Sequence, residues 1–163
     1  DLGGVWPLET VCSELTSFAD AALTASLRFA LRQQMEQGRW NAADPHAPER
    51  DCGLFFLAMG KYGARELNYS SDIDFSCYFE PEKLPLAGGV EPKPLAVRVT
   101  QMAVALMQDV TADGYVFRCD LRMRPDAGST QIAMSLASAE HYYEAMGQNW
   151  ERAAMIKARP CAG

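Results

Sequence analysis

The sequence predicts an α/β domain: a small mixed sheet with helices packed to one side. Three observations carry that prediction. Leu54 to Met59 is an apolar run without a polar side chain, as in a strand covered on both faces. Residues 72–79 and 115–123 alternate with a period of two, as strands with one buried face do. Two further stretches, Leu8 to Gln37 and Leu95 to Val110, repeat apolar residues at helical spacing.

Taken in order, the first helix should bury Leu8, Val11, Leu15, Phe18, Ala22, Phe29 and Ala30 and stop at Gly38. Asn41 to Arg50, with Pro45 and Pro48, reads as a loop. The apolar strand then meets a turn containing Gly60, Lys61 and Gly63. The next strand places Asp72 and Asp74 on one face and Ile73, Phe75, Cys77 and Phe79 on the other. Prolines and a Gly-Gly pair make 81–94 a surface loop. The second helix should turn Leu95, Val99, Met102, Ala103, Leu106 and Val110 inward. After the Asp113-Gly114 turn, the third strand puts Tyr115, Phe117, Cys119, Leu121 and Met123 on one face. Arg118, Asp120, Arg122 and, if the strand continues, Arg124 take the other, and Pro125 ends it. Ser138 to Met146 reads as a short helix stopped by Gly147. Asn149 to Arg159 reads as another, ended by Pro160, with Trp150 packed and Glu151 pairing Arg152 at the surface.

The 163 residues suffice for one domain with a core, and no repeat is visible. A formal net charge of −6 argues against a general nucleic-acid binder, which needs a basic footprint. No apolar run is long enough to span a bilayer, so no membrane contact and no signal peptide are expected. The 5 cysteines are scattered without a C-x-x-C pair, which points to a reducing cytoplasm rather than a disulfide framework. His46 and His141 lack metal-ligand spacing. The chain starts at Asp1 and stops at Gly163 after a helix-like run, so a piece of a longer protein is expected.

Asp72, Asp74 and Asp120 on two adjacent strands would form a cluster of hard oxygen ligands suited to Mg²⁺ or Mn²⁺. Such a two-metal site serves phosphoryl or nucleotidyl transfer. Gly60 allows backbone N–H groups to approach a phosphate, Lys61 adds charge, and the planar forks of Arg122 and Arg124 match phosphate oxygens. Ser71 either donates to phosphate or caps its own loop. The bland alternatives stand beside this one. A lone Asp-x-Asp is common in solvated turns, and an acid among arginines also suits a surface ion-pair ladder.

The motif Gly60-Lys61-x-Gly63-x-x-Glu66-Leu67-Asn68-Tyr69-Ser70-Ser71-Asp72-Ile73-Asp74, followed by Asp120-x-Arg122-x-Arg124-Pro125, resembles the glutamine synthetase adenylyltransferase family. The resemblance runs from about Leu54 to Gly163. It implies a DNA polymerase β-like nucleotidyltransferase fold, metal-ligand roles for Asp72, Asp74 and Asp120, and a phosphate role for Gly60 and Lys61. The runs Asp113 to Arg118, Tyr142-Tyr143 and Asn149 to Arg159 look more like the amino-terminal half of the family. That half removes AMP from a tyrosine of glutamine synthetase by phosphorolysis, taking phosphate and releasing ADP. The implied partners are glutamine synthetase, ATP, ADP, AMP, phosphate and a nitrogen-signalling regulator of the PII type. Adenylyl transfer from ATP and a catalytically silent nucleotide- or effector-binding module are the rivals. The chain departs from the family pattern at Asp126-Ala127-Gly128, where an aromatic and then glycine are usual, and at Ala64, where a second glycine is usual.

Overall fold

The computed structural model describes residues 3–163. It is a mixed α/β fold built on one sheet. β1 (Leu54–Ala58) runs antiparallel to β2 (Ile73–Phe79), pairing Leu54 with Phe79 and Ala58 with Phe75. The other edge of β2 is shared: β3 (Cys119–Asp120) lies parallel to its first two residues and β4 (Ala133–Ser135) parallel to its last three. β5 (Arg159–Ala162) closes the far side, antiparallel to β1.

α1 (Leu8–Glu36) and α3 (Pro92–Gln108) pack together over one face of this sheet. Ala19, Leu23, Leu27, Ala30 and Leu31 of α1 meet Leu95, Val99, Ala103 and Met107 of α3 above Phe56, Phe75, Cys77 and Phe79. The expected stripe on α1 is displaced: Leu8, Phe18 and Phe29 are each more than half exposed. Leu23, Leu27 and Leu31 fill the seam instead, and the small Ala19, Ser26 and Ala30 beside them let the helix approach closely. The buried hydroxyls of Thr16 and Ser26 donate back to the carbonyls of Cys12 and Ala22, at 2.7 and 2.9 Å, so their burial leaves no open donor. Gly38, at φ +67°, ends the helix as foreseen and returns its N–H to Met35 O at 2.9 Å.

α3 starts at Pro92, three residues earlier than expected. Pro92 and Pro94 stand in its first turn, where no backbone donor is needed. It ends at Gln108, which leaves Val110 outside and exposed; Leu106 also faces solvent, while Val104 and Met107 turn inward. Helices are not confined to one side. α4 (Leu136–Ala145) covers part of the opposite face, over Phe55, Leu57 and Tyr78. Those side chains make β1 apolar on both faces.

The expected nine-residue third strand shrinks to β3. Turns and bends occupy the flanking residues, starting with Thr111 and Gly114, which bond across a tight turn at 2.9 and 3.1 Å. The tail also differs. α5 (Asn149–Ala154) and a single tight turn at Met155–Lys157 give way to β5, with Pro160 inside it. β5 is an edge strand with a register shift opposite Phe56 and Leu57, the setting in which a residue without an N–H is tolerated. Trp150 is exposed rather than packed, its indole N–H donating to Gln148 Oε1 at 3.0 Å. Glu151 is buried, not paired at the surface; it accepts from Tyr142 OH at 2.9 Å and from Gln148 N at 2.8 Å. Among the described residues, no helix is long and apolar enough to cross a membrane.

Candidate active site

The turn after β1 is a four-residue helix, α2 (Gly60–Gly63), rather than an open loop. Gly60 has φ +52°, and a Cβ there would stand 3.0 Å from Asp74 Oδ2. Only glycine gives both that backbone and that approach without strain. Met59 N donates to Asp74 O at 2.8 Å, which fixes the start of α2 against β2. The mouth of α2 and the Asp74 carboxylate are thus neighbours by construction.

The parallel register sets Asp74 beside Asp120 and Ile73 beside Cys119, so the two strands bring the second and third acids together. Asp72 precedes β2 by one residue. Its neighbour Ile73 donates its N–H to Arg118 O at 2.9 Å, tying the two segments. Burial pushes the Asp74 carboxyl above the usual carboxylate range, and the negative charges of Asp120 and Asp72 push it further; Arg122 and Lys61 oppose them. Asp74 thus feels the charge of both other acids. Asp120 moves the other way. Its hydrogen bonds from the Arg122 side chain hold it below the ordinary range, against a smaller contribution from burial.

Each outer acid has its own arginine. Arg118 donates through Nε to Asp72, through Nη2 to Ser70 O at 2.6 Å and through Nη1 to Tyr115 OH at 3.1 Å. Arg122 grips both oxygens of Asp120, with Nε at 3.0 and 2.9 Å, and its backbone N–H adds a bond at 2.8 Å. These pairs line an open cleft of about 770 Å³ with Gln108 and Tyr115. Arg124 does not join them. Its Nη2 donates to the carbonyls of Ala127 and Thr130, at 2.9 and 3.1 Å, and so holds the 121–130 loop together. The single face of arginines expected here dissolves because 121–124 is turn, not strand. Ser71 donates to Asn68 Oδ1 at 2.6 Å, which is the loop-capping alternative. Lys61 is exposed and borders a separate cleft with Arg65, Glu66 and Cys12.

The donor set fits a hard divalent cation in kind: three carboxylates, two of them register partners. Among the described residues, however, no three His, Cys, Asp or Glu side chains are arranged to hold a metal ion. Asp72 and Asp120 are instead paired with the guanidiniums of Arg118 and Arg122. Sequence reasoning missed Tyr115, assigned to an apolar strand face. Its spacing of three from Arg118 is the signal that a turn, not a strand, joins them.

Comparison with known proteins shows the family. The model of the glutamate-ammonia ligase adenylyltransferase family matches residues 1–163. The whole chain is 59% identical over 163 residues to a bifunctional glutamine synthetase adenylyltransferase/adenylyl-removing enzyme of Bradyrhizobium sp. (strain ORS 278). Relatives with the same name in Caulobacter vibrioides and Xanthobacter autotrophicus are each 55% identical to it over all 163 residues. The chain spans 16% of the length of each of these relatives.

Proposed function

The chain belongs to the glutamate-ammonia ligase adenylyltransferase family, whose fold is of the nucleotidyltransferase type, and we propose that it carries the nucleotidyl-transfer site of an AMP-removing half. The observation that carries this reading is the crowding of Asp72, Asp74 and Asp120 onto one patch, with Asp74 penalised by the other two. Only glycine admits the Asp74 carboxylate so closely, and burial together with the charges of Asp120 and Asp72 disfavours its ionised form. Glutamine synthetase is the protein substrate implied by the relatives' names.

In this reading, an oxygen of inorganic phosphate attacks the phosphorus of a tyrosyl-AMP. The bond from phosphorus to the tyrosine oxygen breaks, tyrosine leaves, and ADP is released. Asp72, Asp74 and Asp120 would hold Mg²⁺ or Mn²⁺, which when bound supplies Lewis-acid polarisation of the phosphoryl oxygens. Gly60 leaves room for a phosphate to approach the α2 backbone, and Lys61 contributes positive charge there. Arg122 holds Asp120 in its ionised form, Arg118 pairs with Asp72, and their forks lie in the cleft where phosphate oxygens would enter. Arg124 shapes the loop beneath them rather than touching substrate.

The relatives' names carry both directions, so adenylyl transfer from ATP by the same residues is the second reading. Cytoplasmic placement and control by a PII-type regulator belong to the same proposal. The test is direct: incubate adenylylated glutamine synthetase with the enzyme, Mg²⁺ and phosphate, and follow ADP. Phosphate-dependent ADP release supports AMP removal. ATP-dependent labelling of unmodified glutamine synthetase without it moves the assignment to the forward direction.

A further inference from the structure

A network outside the acid cluster holds α2 from behind. The guanidinium of Arg159, on β5, donates through Nη2 to Asp20 Oδ1 of α1 at 2.9 Å and to Tyr62 O of α2 at 3.3 Å. Its Cζ lies 5.2 Å from the centroid of the Tyr62 ring, a cation–π contact. Asp20 and Arg159 are both largely shielded, with side chains 23% and 18% exposed, so this pair is protected from the screening that weakens surface pairs. The backbone beside it is equally close. A Cβ on Gly63 would stand 2.2 Å from Lys157 O and 2.8 Å from Ala58 O.

α2 is therefore pinched between two surfaces. Its first residue, Gly60, faces the Asp74 carboxylate, and its last two, Tyr62 and Gly63, are gripped by the segment that leads into β5. A helix of four residues has no stability of its own. Its position is set by those contacts, by the Met59–Asp74 bond at its start and by the burial of Tyr62 in the core.

We propose that Arg159 and Asp20 are positioning residues for the phosphate-binding turn: they fix α2, and through it Gly60 and Lys61, at the distance from Asp74 that phosphate binding needs. Neither touches the cleft containing Asp72 and Asp120. Arg159 supplies the guanidinium, whose Nη2 bonds both Asp20 and Tyr62, and Asp20 orients it. A lysine would keep the charge but not the guanidinium that lies over the Tyr62 ring. The inference rests on the phosphate role proposed for the Gly60–Lys61 turn.

The experiment uses the intact enzyme with Arg159→Lys, Asp20→Asn and the double variant. Two measurements separate this inference from the reading beneath it. The first is hydrogen exchange at the amides of Gly63 and Ala64, which bond to Met59 O and Gly60 O at 2.7 and 3.0 Å. Exchange there should rise about tenfold or more in each variant, while β1 amides stay protected. The second is kinetic. The KM for phosphate should rise about fivefold or more with kcat within about twofold, and the double variant should be no worse than the worse single one. If only ATP-dependent adenylylation is seen, the phosphorolytic reading falls and the KM for ATP becomes the kinetic readout. Unchanged exchange at Gly63 and Ala64 overturns the proposal whichever direction the enzyme runs. A loss confined to kcat or to the thermal midpoint, with KM constant, overturns it as well and leaves Arg159 a purely structural residue.

Discussion

The two edges of β2 differ sharply. Along one edge β1 pairs with five consecutive residues in unbroken register, from Phe75 to Phe79. Along the other, β3 takes Ile73 and Asp74, β4 takes Cys77 to Phe79, and Phe75 and Ser76 have no partner strand. The continuous edge lies against the interior: Phe56 and Phe75 stack across it with centroids 5.2 Å apart, and both are fully buried. The divided edge carries the proposed site. A two-residue strand is long enough to bring Asp120 beside Asp74 and short enough to let the chain turn away into an open cleft. One edge supplies rigidity and the other supplies access, from the same strand.

The most damaging way to break this contrast is at the divided edge. Asp120→Asn removes the charge but keeps the shape, and turnover should fall by orders of magnitude while the denaturant midpoint hardly moves. Near-normal turnover at saturating Mg²⁺ would reduce Asp120 to a partner for Arg122. Next comes the continuous edge. Phe56→Ala should cost about 3–5 kcal/mol of stability, the usual range for a buried aromatic. Activity should then track the folded fraction, with the KM for phosphate unchanged; the measurement is chemical denaturation alongside steady-state kinetics.

A pH experiment sharpens the contrast further. The raised carboxyl of Asp74 binds its proton more tightly in the folded state than in the unfolded one. Its contribution is therefore fully favourable below the ordinary carboxylate value, about pH 4, and is lost as pH rises through the elevated value. In the metal-free protein, Asp74→Asn should be more stable than the parent above that window and level with it below. Added Mg²⁺ should raise the parent's thermal midpoint near neutral pH and leave that of Asp74→Asn unmoved. Equal Mg²⁺ shifts in both would remove Asp74 from the proposed ligand set. The smallest effect concerns the two cysteines flanking the acids. Burial pushes both Cys77 and Cys119 up to about 12, so both should react slowly with a thiol reagent at neutral pH. Cys119 is only partly buried, unlike the expectation that both would be enclosed, so it should label before Cys77.

The continuous edge was legible in the sequence because burial on both faces leaves an apolar run, and alternation in β2 leaves a period of two. The divided edge was legible only in its residues. Asp72, Asp74 and Asp120 could be named from motif and alternation, yet the alternation from 115 to 123 overstated the strand. A turn that buries Leu121 while exposing Arg122 mimics a strand's period over a few residues. The tail was legible as far as Lys157, where α5 and its tight turn follow the amphipathic spacing; beyond it β5 exists because β1 offers it an edge, which local spacing does not record. The seam of α1 was misjudged because volume, not hydrophobicity, decides which face can approach α3. Large side chains such as Phe18 found partners elsewhere, in this case the ring of Phe117 at 5.8 Å.

The bond between Arg159 and Asp20 spans 139 residues of sequence. During synthesis α1 emerges before the strand it must meet through Arg159. At roughly 5–20 residues per second, that interval is on the order of ten seconds. Until then β1 has an open edge and the small helix behind the acids has no rear support. The order of synthesis thus delays the support of α2 until β5 has joined the sheet.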